Sequence, residues 1–294
     1  MKKGKILLLF LAMILLTGCD FNIKTDNMED INIYTTIYPI RYLIDSLYGS
    51  NGTINSIYPA GVNPSEYKFS DKKLAEYAST DLFVFNSLDI DRDYAVKMIN
   101  KNKNLKVIDV SLGMNYTNNI AELWLNPYNY LMMAQNTKNG LLEYISNPYL
   151  ISNSDGTGVE DKYEELKYDL SRLDADMKED INLAPYKTIV VDNDMFKFLE
   201  KYNLNVISLE ENDNLTDTMI NEAKKLMNNG SIKYIYSASE ETNNTCKSLI
   251  EDYDVELVTI NTMNTIDGGI SNSNENYITV MNNNMDLLNK ELYK

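Results

Sequence analysis

Histidine is absent from all 294 residues of this chain. Without imidazole there can be no Ser-His-Asp or Cys-His relay, and the commonest nitrogen ligand for zinc is missing. Cysteine is almost as scarce, limited to Cys19 and Cys246. If Cys19 is consumed by lipidation, as argued below, no intramolecular disulfide can form. Cys246 stands in TNNTCKSLIED, which reads as a helix carrying a buried structural thiol rather than a nucleophile. Basic residues are few, 27 against 43 acids, giving a formal net charge of -16 with no basic block outside the N-terminus. That excludes nucleic-acid binding driven by counterion release, and most of the acidic excess reads as solvated surface. Gly113, Gly156, Gly158, Gly268 and Gly269 form no phosphate loop or dinucleotide fingerprint. Glu66 and Glu122 could pair as general acid and base, but no nucleophile motif accompanies them, so the chain does not read as an enzyme.

What is present begins with MKKGKILLLFLAMILLTGCD, three lysines followed by an apolar run from Ile6 to Leu16. This is the pattern of a secretory signal peptide, too short for an ordinary membrane-spanning helix. Its ending, Leu16-Thr17-Gly18-Cys19, resembles the bacterial lipobox. The resemblance implies a lipoprotein leader over 1–19 that is cleaved just before Cys19, acyl chains on Cys19 as the new N-terminus, and a polar tether over 20–30. The mature protein is then expected on the outer face of the cytoplasmic membrane, held by its lipid.

With 44% hydrophobic residues the chain can bury a sizeable core. Short β-type runs alternate with helical patterns, which predicts βαβ units and parallel sheets. The first lobe, 31–158, offers strands at 31–36, 54–59, 82–86 and 106–111, with helices at 39–49, 70–80, near 94–102 and at 127–146. A long helix over 162–181, within a connecting segment at 159–184, has apolar residues spaced three or four apart and charge elsewhere. The second lobe, 185–294, offers strands at 188–192, 205–209, 233–237 and 256–260, with helices through 195–203, 216–229, 240–252 and 276–293. The fold class is therefore α/β: two lobes, each with a four-stranded mostly parallel sheet, joined by one long helix. Ser239-Glu240-Glu241-Thr242 reads as the start of the 240–252 helix, and Met132, Met133, Met281 and Met285 as core residues on helices.

Ligands of open α/β sheets sit beyond the carboxyl ends of the strands, so two such lobes place a cleft between their strand-end loops. Those loops read YPAGVNPSEYKFS (58–70), IAELWLNPYN (120–129) and VVDNDMFKFL (190–199). They resemble the zinc- and manganese-binding lipoproteins that feed ABC importers, whose matching segments run roughly P-x-G-x-x-P-H-D/E-Y-E, D-P-H-x-W-L-D-P and S-H-D-A-F-x-Y-L. The resemblance covers nearly all of 31–293. It implies a receptor that catches a metal ion in the cleft and passes it, as a monomer, to a permease driven by an ATPase.

Carried over residue by residue, the family's ligand positions fall on Ser65, Glu122, Asn193 and, on or near the fourth, Asn261. Supporting positions fall on Glu66, Tyr67, Trp124, Asp192 and Asp194. None of the family's histidines survives. An oxygen-only set of this kind suits Mn, Ca or Mg better than Zn. A second reading keeps the scaffold and gives it a small polar organic solute, and a third is an adhesion or vestigial lipoprotein without metal binding. Tyr38, Tyr58 and Tyr67 read as packing residues under any of them.

Overall fold

The computed structural model describes residues 28–265 and 275–294. The leader, Cys19, most of the tether, Gly268 and Gly269 lie outside the described residues.

The apolar runs of the first half form four strands, β1 (Ile31–Thr35), β2 (Gly52–Ser56), β3 (Leu82–Phe85) and β4 (Lys106–Asp109), in the order β2-β1-β3-β4. Every pairing is parallel, and parallel neighbours need crossover connections. Helices α1 (Tyr38–Tyr48), α2 (Asp71–Tyr77) and α3 (Asp91–Lys101) supply them. A short helix α4 (Glu122–Leu125) leads directly into α5 (Pro127–Tyr144), started by Pro127 and by the Asn126 side chain, which accepts from Tyr128 N. The 106–111 run stops being a strand at Asp109 because the Asp109 carboxylate accepts from the amides of Ser87 and Ser111, turning the chain. The segment after α5 contains one further short helix, α6 (Pro148–Ile151).

Helix α7 (Val159–Leu183) is longer at both ends than the 162–181 periodicity suggests. Val159, Tyr163, Leu166, Leu170, Leu173, Met177 and Ile181 form its buried stripe, spanning about 33 Å at the usual rise per residue. The second half repeats the first: β5 (Thr188–Val191), β6 (Asn205–Ser208), β7 (Tyr234–Ser237) and β8 (Glu256–Thr259) lie parallel in the order β6-β5-β7-β8. Their crossovers are the 3-10 segment Asp194–Tyr202, α8 (Asp217–Asn228) and α9 (Asn244–Asp252), and α10 (Tyr277–Leu292) closes the lobe.

Two expectations are corrected. The 240–252 helix begins only at Asn244, because Asn243 is the residue whose side chain accepts from the Cys246 amide and caps it. Ser239 and Thr242 instead belong to the loop that wraps Asp192. Met132 is 40% exposed, although Met133, Met281 and Met285 are buried as expected.

Tyr277, fully buried at the start of α10, joins the lobes. Its ring stacks on Tyr130 of α5 at 4.0 Å and on Tyr42 of α1 at 5.8 Å, and its hydroxyl donates to the Trp124 carbonyl at 2.5 Å. Below it, Lys201 of the second lobe pairs with Asp174 of α7 at 2.8 Å and also donates to Asn126 Oδ1. Tyr277→Ala is expected to cost about 3–5 kcal/mol through the cavity it leaves, and Tyr277→Phe about 1–3 kcal/mol through the unpaired carbonyl. Urea denaturation of the variants checks the order; equal losses would show that the ring contributes nothing beyond its hydroxyl.

Candidate functional site

The loops that follow β2, β4, β5 and β8 meet between the lobes around a cleft of 460 Å³. Asn63, Pro64 and Ser65 come from the first loop, Asp89 from the turn before α3, Asn119, Ile120, Ala121 and Trp124 from the approach to α4. Asn193, Met195, Thr262 and Asn264 face them from the second lobe, and Ile37 completes the wall.

The loop after β2 is stiff for local reasons. Gly61 takes φ 70°, a conformation that favours glycine. Asn63 Oδ1 then accepts from both the amide (3.2 Å) and hydroxyl (2.9 Å) of Ser65, and Asn63 Nδ2 donates to Glu66 at 3.1 Å. Behind it, Tyr58, Tyr67, Phe69, Tyr77 and Tyr94 pack ring against ring at 4.9–6.2 Å. Tyr94 also donates to the Tyr67 carbonyl at 3.0 Å. Ser65 is thus held at the cleft on a fixed turn, with Glu66 occupied as a brace.

Glu122 is buried but does not line the cleft. Its carboxylate is turned back into the preceding loop, where it accepts from the amides of Thr117 (3.1 Å), Asn118 (3.0 Å) and Asn119 (3.3 Å) and from Asn118 Nδ2 (2.8 Å). A carboxylate surrounded by three backbone N–H groups is already satisfied where it sits. Trp124, two residues on, does line the cleft, and its indole N–H donates to the Thr262 carbonyl at 2.8 Å across the lobes.

On the other wall Asn193 lines the cleft and caps the 3-10 segment, its Oδ1 accepting from Met195 N at 2.9 Å and from Asn119 Nδ2 at 3.4 Å. Its acidic neighbours are both engaged away from the ligand space. Asp192 Oδ2 accepts from Ser237 (2.5 Å) and Thr242 (2.9 Å), and burial raises its carboxyl above the ordinary range. Asp194 pairs with Lys197 at 2.8 Å and accepts from Asn212 at 3.3 Å. Asn261 stands behind the wall: its backbone exchanges hydrogen bonds with the Asn284 amide, and its Oδ1 accepts from Met263 N at 2.9 Å. The cleft residues at that point are Thr262 and Asn264.

Of the four ligand positions the structure therefore brings Ser65 and Asn193 to the cleft, with Glu122 and Asn261 behind its walls. The sequence reading passed over Asn63, Asp89, Asn119, Thr262 and Asn264. Their only signal was position, at or just beyond strand ends, and in a chain rich in asparagine throughout that signal is hard to separate from background. Among the described residues no group of three or more His, Cys, Asp or Glu could hold a metal ion. Burial pushes the Cys246 thiol up to about 12, so it stays protonated inside α9.

Comparison with known proteins follows the same outline. The family model for the zinc-uptake complex component A, periplasmic (ZnuA), matches residues 33–291. The zinc-binding lipoprotein AdcA of Streptococcus pneumoniae is 21% identical over 98% of this chain, and the chain spans 60% of that relative's length. A metal ABC transporter substrate-binding lipoprotein of Lactococcus lactis is 25% identical over 100% of this chain and 99% of its own. In three dimensions the chain is similar to the metal-dependent lipoprotein YcdH of Bacillus subtilis, with a TM-score of 0.70 at 18% identity, covering 90% of this chain and 100% of that one. The Zn(II)-bound ZnuA-like domain of Streptococcus pneumoniae AdcA gives a TM-score of 0.68 at 20% identity, with the same coverage.

Beneath the cleft, next to Asp89, the side chain of Asp91 is buried at the start of α3 and accepts from the Tyr58 hydroxyl at 2.7 Å. Burial pushes its carboxyl up to about 7, the Tyr58 and Thr36 hydroxyls offsetting only part of the shift. Between the unfolded value near 4 and the folded value near 7, the native state holds a proton that the unfolded state has released. Stability from this group is therefore full below about pH 4 and is lost as pH rises toward 7, by about 1.4 kcal/mol per unit at most. Asp91→Asn, which keeps an acceptor for Tyr58, is expected to flatten that decline and to be more stable than the parent at pH 8. Denaturation midpoints measured from pH 4 to 8 check it; parallel curves for parent and variant would contradict it.

Proposed function

Because this chain belongs to the zinc-uptake complex component A family, we propose that it is the extracytoplasmic solute-binding lipoprotein of an ABC importer of the metal type. It is anchored by lipid on Cys19 at the outer face of the membrane, catches its ligand between the lobes and delivers it to a permease and ATPase. The observation that carries this reading is the cleft itself: both sheets point their strand ends into one 460 Å³ space, and a single long helix, α7, connects the lobes. The family is one of solute-binding proteins, and the chain's chemistry adds nothing that would turn a receptor into an enzyme.

Zinc as cargo does not fit this cleft. Its preferred nitrogen and sulfur donors are absent from the lining, and the carboxylates at the neighbouring positions Glu66, Glu122, Asp192 and Asp194 are engaged by other groups. Mn, Ca or Mg would match the oxygen of Ser65 and the carboxylate of Asp89 better, with weak retention from so few charged donors.

Cross-linking of the lipidated protein in membranes of its own host is expected to capture a permease, and with it the ATPase. Recovery of the cross-linked protein with no transporter subunit attached would contradict the receptor reading.

A further inference from the structure

Three of the amides around the cleft, Asn63, Asn119 and Asn193, have fixed orientations. Asn63 Oδ1 accepts from the Ser65 amide and hydroxyl, Asn119 Oδ1 from the Ala121 amide at 2.9 Å, and Asn193 Oδ1 from the Met195 amide. A backbone N–H can be met only by the amide oxygen, so these assignments cannot be flipped. These amide oxygens are engaged by the protein itself, and so are Asn63 Nδ2, which donates to Glu66, and Asn119 Nδ2, which donates to Asn193. What remains for a ligand is a mixed set: Asn193 Nδ2 as donor, the Ser65 hydroxyl oxygen and Asp89 carboxylate as acceptors, and the Asn264 amide, which can do either. Asn193 Nδ2 and the Asn264 amide donate to no group among the described residues.

A cleft that offers both donors and acceptors suits a ligand whose groups do both, as hydroxyls do. Among the described residues no lysine or arginine lines it, so a carboxylate or phosphate would enter without a counter-charge. Asp89, the one carboxyl side chain among the described lining residues, takes the Ile90 amide on Oδ1 at 2.6 Å and can accept from a ligand hydroxyl through Oδ2. Trp124, Ile37, Ile120 and Met195 contribute apolar surface, of the kind on which the C–H face of a ring can rest. The volume of 460 Å³ lies in the range of small-molecule sites and far exceeds what a bare ion occupies.

We propose that the ligand is a neutral, polyhydroxylated organic solute of sugar size and not a metal ion. This rests on the receptor reading above and specifies its ligand. Asn193 and Asn264 donate to the ligand's oxygens, Asp89 accepts from one of its hydroxyls, and Trp124 lies against its apolar face.

Trp124 is the only tryptophan in the chain and lines this cleft, so its emission reports changes at the cleft and at the lobe contact beside it. The soluble chain from residue 20 onward is titrated with glucose, N-acetylglucosamine, maltose and myo-inositol, with citrate as anionic control, and separately with the chlorides of Zn, Mn, Ca and Mg. At least one neutral polyol is expected to change the emission saturably below about millimolar, with citrate and the metals silent at that concentration. Asn193→Ala and Asn264→Ala are each expected to weaken that binding by about tenfold. Asn264→Ala guards against misfolding, because its amide makes no bond among the described residues that the fold could lose. Saturable binding of a metal with every polyol silent overturns the ligand assignment and leaves the receptor reading intact. Silence from polyols, metals and citrate alike overturns both. Polyol binding unchanged in both variants overturns the assignment of the donors.

Discussion

Trp124 stands where the two lobes depend on each other. Its indole N–H reaches across to the Thr262 carbonyl, its own carbonyl takes the hydroxyl of Tyr277, and its ring forms part of the cleft wall. Tyr277 in turn is clamped between Tyr130 and Tyr42. Both hydrogen bonds are buried, where an unmet partner is costly, so the lobes cannot part here without leaving two donors and two acceptors unpaired. The cleft's width follows from that closure, and so does the meeting of Asn119 with Asn193 across it.

The chemistry of the lining then follows from the turns that present it. Asparagine at a strand end or helix start turns its oxygen back onto a nearby amide, as Asn63, Asn119 and Asn193 all do. Of their N–H groups, Asn63 Nδ2 is taken by Glu66 and Asn119 Nδ2 by Asn193, which leaves Asn193 Nδ2 without an acceptor among the described residues. Glu122 shows the corresponding effect for a carboxylate: the N–H groups of residues 117–119 satisfy it so fully that it braces the loop and contributes no charge to the cleft. The outcome is a scaffold shared with metal receptors whose lining carries a single carboxylate among the described residues, too few charged acceptors to hold a cation tightly.

Most of this fold was legible in the sequence, because alternating short apolar strands and amphipathic helices leave strong periodic signals. The α7 stripe from Tyr163 to Ile181 and the strands at 31–36 and 188–192 are examples. Errors gathered where side-chain capping decides a boundary: Asp109 ends β4 early, and Asn243 rather than the Ser239–Thr242 stretch starts α9. The site was legible as a set of loops and only partly as residues. Motif position brings Ser65 and Asn193 to the cleft, but it cannot reveal that Glu122 turns back onto the amides of residues 117–119, a local geometry with no sequence signature, or that Asn119 and Asn264 face the ligand space, which depends on contacts between segments far apart in the chain.

The central claim is that these loops form a cleft for a neutral polar solute and no metal site. Anomalous diffraction from crystals grown with excess zinc, recorded on both sides of the zinc edge, tests it most directly. The account expects no anomalous peak in the space bounded by Ser65, Trp124, Asn193 and Asn264. A fully occupied peak there, with Glu122 swung out of its loop to coordinate it, would contradict the account.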